Sequence, residues 1–160
     1  MLFRSHRVPE GLEGKYAALA LPVANGIEWT YLQGKAGPGD TVVVQGVGQQ
    51  GLSCVVAAKE AGASKIISVA RSTPSDRLRL DFARSLGADH TIDVDSEDLL
   101  ETLADLTGGH MADLVVDCTG SEAGIANAFR IARKCGRVIL GDRKSTRLNS
   151  SHIPLSRMPS

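Results

Sequence analysis

From Thr41 to Leu140 the chain alternates short apolar, β-branched runs with stretches of helical period, and a glycine-rich turn follows the first run directly. Few folds satisfy that order. Thr41–Gln45, Lys65–Val69, His90–Val94, Leu114–Asp117 and Arg137–Leu140 read as buried strands bounded by Gly, Asp or Ser. Between them lie four predicted helices. The first, Gln50–Ala61, turns Leu52, Val55, Val56 and the Lys59 stem inward. The second is capped by Thr73 with Pro74 at its first position, carries Leu78, Phe82 and Leu86 every fourth residue, and ends at Gly87. A third, capped by Ser96, carries Leu99, Leu103 and Leu106 inside. A fourth, capped by Ser121, carries Ile125, Ala128, Phe129 and Ala132 and stops at Gly136. Strands joined by helices require parallel pairing with right-handed crossovers. The expected fold is α/β, a doubly wound parallel Rossmann sheet of order 3-2-1-4-5 with a sixth strand missing, hence an incomplete domain.

Gly46-Val-Gly48-Gln-Gln-Gly51 stands where a dinucleotide fingerprint must stand, after strand one and opening a helix. Gly46 makes the tight turn, Gly48 lets backbone approach a pyrophosphate, and Gly51 permits close helix–strand packing. Unpaired N–H groups at Gln49, Gln50 and Gly51, at the positive end of the helix dipole, suit a diphosphate. The glycine pattern alone is shared with S-adenosylmethionine-dependent methyltransferases and with non-catalytic dinucleotide-binding modules. A methyltransferase places an acid near the end of strand two, where Ala70 stands here. The same missing acid bears on cofactor choice. An acid about 20 residues past the glycine turn reads the ribose hydroxyls of NAD. With Ala70 there, followed by Arg71 and Ser72, a 2′-phosphate meets a guanidinium and a hydroxyl, with Thr73 as a second hydroxyl or only a cap. NADP(H) is therefore expected over NAD(H).

Gly39–Gly51, Lys59–Ala63, Leu86-Gly-Ala-Asp-His-Thr-Ile92 and Thr107-Gly-Gly-His-Met-Ala-Asp-Leu-Val-Val-Asp117 together resemble the cofactor domain of medium-chain, zinc-type alcohol dehydrogenases. The resemblance runs from about Pro9 to Gly141. It implies a nicotinamide-dependent oxidoreductase that moves a hydride to or from a carbonyl, alcohol or activated alkene. It also implies a small-molecule substrate, homo-oligomeric assembly of the full-length enzyme, and a catalytic domain outside this chain, so that no catalytic residue is expected here and the chain alone is expected to be inactive. Cys118, Thr119 and Gly120, after strand four, would border the adenine and ribose side of the cofactor, the alternative being a plain strand-end turn before the Ser121 cap. The resemblance places a zinc-ligating cysteine at or near Leu21, and leucine cannot bind zinc. Either another ligand served or the chain resembles the zinc-free quinone and enoyl reductases, and zinc is not expected in this chain. His90 and His110 read as surface histidines.

Composition narrows the remaining classes. The formal net charge is zero, which offers nucleic acid no basic surface. No apolar run reaches the roughly 20 residues of a membrane span, and the basic start lacks a signal-peptide core. A cytoplasmic location is expected. Cys54, Cys118 and Cys135 are isolated in sequence among apolar neighbours and read as small core residues rather than a disulfide framework.

The organisation expected is a linker and connecting helix over 1–39, the dinucleotide-binding domain over 40–141, and a non-native tail over 142–160. Within the first part, Pro9–Gly14 reads as a loop and about Pro22–Gln33 as a helix. The tail is rich in Ser and Arg and has no helix or strand period. Asp142–His152 and Ser156–Ser160 resemble one reading frame of a short-read sequencing adapter, with Ile153, Pro154 and Leu155 at its variable index. On that reading the natural sequence stops at Gly141 and the tail packs no core. The tail holds Arg143, Lys144, Arg147 and Arg157 against one acid, Asp142, so the rest of the chain is mildly acidic.

Overall fold

The computed structural model describes residues 7–141. The tail beyond Gly141, and the expectation that Leu148, Ile153 and Leu155 pack no core, lie outside the described residues. The elements are α1 (Gly14–Ala17), α2 (Ala20–Gly26) running into a π-helical segment (Ile27–Gln33), β1 (Thr41–Gln45), α3 (Gln49–Glu60), β2 (Lys65–Ala70), α4 (Pro74–Leu86), β3 (His90–Asp93), α5 (Leu99–Thr107), β4 (Ala112–Asp117), α6 (Glu122–Ile131) and β5 (Ala132–Leu140). All strands pair in parallel, in the order β3-β2-β1-β4-β5. This is the doubly wound arrangement expected from the alternation of strands and helices.

Period-two alternation divides the core between the two sheet faces. Val42, Val44, Ile66, Leu114 and Val116 pack with Cys54, Val55 and Ala58 of α3, Ala83 of α4 and Trp29. On the opposite face, Val43, Ile67, Val69, Ile92 and Val115 meet Leu99 and Leu103 of α5 and Ala128 and Ile131 of α6. The segment before β1 docks on the first face by backbone approach. A Cβ at Gly26 would lie 2.6 Å from the Ser53 carbonyl group, and one at Gly34 would lie 2.7 Å from Leu114 Cδ2.

Several expectations about local structure need correction. The inward side of α3 is Cys54, Val55, Ala57 and Ala58, with Leu52 only partly buried and Val56 exposed. In α4 the first two members of the four-residue repeat face outward, Leu78 74% exposed and Phe82 54%, while Leu80 and Ala83 are buried and Leu86 packs partly buried against the core. The helix carries two apolar stripes, and its seat on β2 selects the smaller one. Phe82 and Leu86 line an apolar groove of about 820 Å³ with Leu19, Val23, Ile27 and Tyr31. Asp98, not Ser96, caps α5, its carboxylate accepting from the Glu101 N–H at 2.9 Å. Phe129 of α6 is exposed, and the buried positions there are Gly124, Ala128 and Ile131. Gly136 does not stop α6. The helix ends at Ile131, the backbone is already extended at Ala132, and Gly136 lies inside β5 at a register shift opposite Ala112 and Leu114. Cys135, expected in the core, is exposed in that shift with φ 60°.

Candidate dinucleotide site

Three turns meet at the carboxyl ends of the central strands. After β1, Gly46 adopts φ 93°, a left-handed conformation that favours glycine, and its N–H donates to the Val69 carbonyl of β2 at 2.8 Å. A Cβ at Gly46 would sit 3.3 Å from the backbone of Cys118 and Thr119, so the β4 turn is packed directly on the β1 turn. Gly51 is held tighter still, since a Cβ there would lie 1.8 Å from the Gly46 carbonyl oxygen. Around Gly48 there is open space within 4 Å. Its side of the turn faces away from the protein, with extended backbone at φ −72° and ψ −176°.

The first intrahelical bond of α3 runs from the Leu52 N–H to the Gly48 carbonyl at 2.9 Å. The N–H groups of Gln49, Gln50 and Gly51 therefore have no intrahelical acceptor, and no side chain caps them. The Gln50 Oε1 atom is buried without a hydrogen-bond partner beside them. A row of free donors over a surface with no Cβ is chemically suited to a diphosphate. The residues present fit a dinucleotide.

Ala70 is buried at the end of β2, and Arg71 and Ser72 follow at the rim. They do not stand alone. The Ser72 N–H donates to Asp95 at 2.9 Å, its hydroxyl donates to Asp93, and the Arg71 Nε lies 3.4 Å from Asp95. The Ser72 hydroxyl holds the Asp93 carboxyl below its ordinary value despite some desolvation. Both acids follow from the end of β3, because Asp93 is the register partner of Ala70. The one readable signal for them was the Asp93-Val-Asp95 pattern at the end of that strand.

Two buried polar groups hold the switch point between β1 and β4. Gln45 and Asp117 are register partners. Gln45 donates through Nε2 to the Gly124 carbonyl at 2.9 Å. Asp117, 1% exposed, accepts from the Thr119 hydroxyl at 2.7 Å and from the Gly120 N–H at 3.1 Å. Thr119 is thus held by Asp117 at the exposed rim, while Gly120 is buried with φ 55°. Ser121 caps α6 as expected, accepting from the Gly124 N–H at 3.0 Å. In the sequence, Gln45 and Asp117 are marked only as polar side chains that end apolar strands.

Among the described residues no three His, Cys, Asp or Glu side chains gather to hold a metal ion. Leu21 is exposed on α2. The residues present do not fit a zinc centre.

A parallel sheet wound on both faces, with a glycine turn and free helix N–H groups at its switch point, defines a dinucleotide-binding domain of the Rossmann class. Residues 40–154 match the family described as zinc-binding dehydrogenase, a span that runs past Gly141. The chain is 39% identical over 135 residues to the "Probable alcohol dehydrogenase adh" of Mycobacterium tuberculosis, a match covering 84% of this chain and 36% of that protein. It is 36% identical to the L-threonine 3-dehydrogenase of Bacillus velezensis, over 81% of this chain and 36% of that protein. The solved alcohol dehydrogenase of Thermus sp. ATN1 superposes with a TM-score of 0.75 at 31% identity, over 88% of this chain and 40% of that one. The chain belongs to the zinc-binding dehydrogenase family, and it spans little more than a third of the length of these relatives.

Proposed function

We propose that this chain is the cofactor-binding part of an NAD(P)-dependent oxidoreductase that interconverts an alcohol and a carbonyl compound. The carrying observation is the Gly46–Gly51 turn, where a Cβ is excluded at Gly51, space is open at Gly48, and three helix N–H groups await an acceptor. On this reading Gly46, Gly48, Gln49, Gln50 and Gly51 hold the diphosphate. Ala70, Arg71 and Ser72 receive the adenosine ribose, and Cys118, Thr119 and Gly120 border its adenine side. When bound, the nicotinamide supplies the hydride acceptor or donor, and the chain's part is to orient it. Relatives named as alcohol, threonine and sorbitol dehydrogenases support an alcohol–carbonyl pair over an activated alkene. The family match does not favour the methyltransferase alternative. The reading carries with it a cytoplasmic, homo-oligomeric full-length enzyme. Among the described residues no helix is long and apolar enough to cross a membrane.

The cofactor preference proposed is NADP(H). Its support is the absence of an acid at Ala70 and the Arg71 side chain, 73% exposed and in a 3.4 Å contact with Asp95. An exposed pair of this kind is worth about 0–1 kcal/mol, so a 2′-phosphate can displace it. Calorimetric titration with NADPH, NADH and S-adenosylmethionine at fixed salt tests both levels. NADPH should bind tightest and S-adenosylmethionine should not bind. Arg71→Ala should weaken NADPH alone, and Asp95→Asn should strengthen it by releasing the guanidinium. Equal affinity for NADH and NADPH would remove the phosphate-reading role of Arg71.

A further inference from the structure

Cys54 and Cys118, isolated in sequence, are brought together by the fold. Their Sγ atoms lie 3.9 Å apart, one on α3 and the other just past the end of β4. A disulfide needs about 2.05 Å between sulfurs, so closing the pair asks for a shift of under about 2 Å. Cys54 is fully buried among Trp29, Val44 and Val116, and Cys118 is half-buried against the same cluster. The buried Thr30 hydroxyl lies beside Cys54.

We propose that Cys54 and Cys118 are an oxidant-sensitive thiol pair that closes to a disulfide on reaction with a hydroperoxide, and that this disulfide and a bound dinucleotide exclude one another. The second half rests on the reading of Gly46–Gly51 as the dinucleotide site. The hydrogen bond between the sulfurs lowers the Cys54 thiol and raises that of Cys118, with burial adding to the rise at Cys118. Cys54 is thus the more acidic thiol of the two. Nucleophilic attack by one sulfur of the pair, as its thiolate, breaks the peroxide O–O bond, forming a sulfenic acid and releasing hydroxide. The other sulfur then attacks the sulfenic sulfur, forming the S–S bond and expelling a second hydroxide. The two thiol protons convert both hydroxides to water. Two thiols are oxidised by two electrons, and one peroxide is reduced.

The link to the glycine turn is direct. The Cys118 N–H donates to the Gln45 carbonyl at 2.8 Å, and its backbone lies against Gly46. Drawing Cys118 toward α3 shifts the backbone that supports the first glycine. A dinucleotide laid over that turn covers the solvent side of Cys118.

The test uses the reduced chain carrying Cys135→Ser, which removes the exposed third thiol. Hydrogen peroxide is added with and without saturating NADPH, and products are read by intact mass and peptide mapping after alkylation. The expected product loses two hydrogens, links the Cys54 and Cys118 peptides, and is restored by dithiothreitol. NADPH should slow its formation several-fold, and the oxidised chain should bind NADPH several-fold more weakly than the reduced chain. A folded chain in which either cysteine passes to sulfinic acid, or both stay alkylatable, with no linked peptide overturns the thiol pair. A disulfide that forms equally fast with NADPH bound and leaves its affinity unchanged overturns the coupling. If reduced chain binds no NADPH at all while the linked peptide still forms, the dinucleotide reading fails and the thiol pair stands.

Discussion

At Gly51 the space for a side chain is already taken: a Cβ would stand 1.8 Å from the Gly46 carbonyl oxygen. Gly48 lies three residues earlier on the same turn, and a Cβ there would meet nothing within 4 Å. The two glycines therefore serve different ends, one structural and one reserved for whatever approaches from outside. Gly51→Ala should cost about 1–3 kcal/mol of stability, the usual penalty of overpacking, and abolish NADPH binding with it. Gly48→Ala should leave the melting temperature within about 0.5 kcal/mol equivalent of the parent and still weaken NADPH by about tenfold or more. Thermal melts paired with calorimetry separate the two. A Gly48→Ala chain that binds normally would place the phosphate elsewhere.

Among the elements, the strands at the amino-terminal edge of the sheet are tied by one carboxylate. Asp113 of β4 accepts from the Thr41 N–H of β1 at 2.8 Å and from the Arg133 guanidinium of β5. Burial pushes its carboxyl up, but the Thr41 N–H and Arg133 outweigh burial and hold it below the ordinary value. A depressed folded value means the stabilisation is complete above the unfolded carboxylate range, near about pH 4, and is lost as pH falls through the folded value. Asp113→Asn should thus destabilise the chain by about 1 kcal/mol at neutral pH, with the difference from the parent shrinking in acid. Melts across that range check the sign. The cap of α5 offers a second comparison: Asp98→Ala should cost about 1 kcal/mol, whereas Ser96→Ala should stay within about 0.5 kcal/mol.

For the whole molecule, two of the surfaces without a partner among the described residues are apolar. One is the outer edge of β5, where Leu140 is 45% exposed; the other is the apolar groove between α2, α3 and α4. An open strand edge with apolar residues templates pairing with further chains. Sedimentation of the purified chain should show association that rises with concentration, and Leu140→Lys should reduce it. A monomer unchanged at high concentration would show that neither surface is adhesive.

The sequence by itself determined the alternating parallel winding, the glycine turn and the caps at Thr73 and Ser121, because each depends on residues close together in the chain. Strand–helix alternation admits one handed winding, and a capping side chain reaches only its own first turn. Tertiary structure decided which stripe of α4 is buried: Leu78 and Phe82 repeat at helical spacing, yet Leu80 and Ala83 meet the sheet. It decided that Asp93 and Asp95 reach Arg71 and Ser72, a consequence of β3 pairing in register with β2. It also joined Cys54 to Cys118 across 64 positions of chain. Periodicity shows that a face is apolar, but only the neighbouring element settles what that face touches, because burial is a property of two surfaces at once.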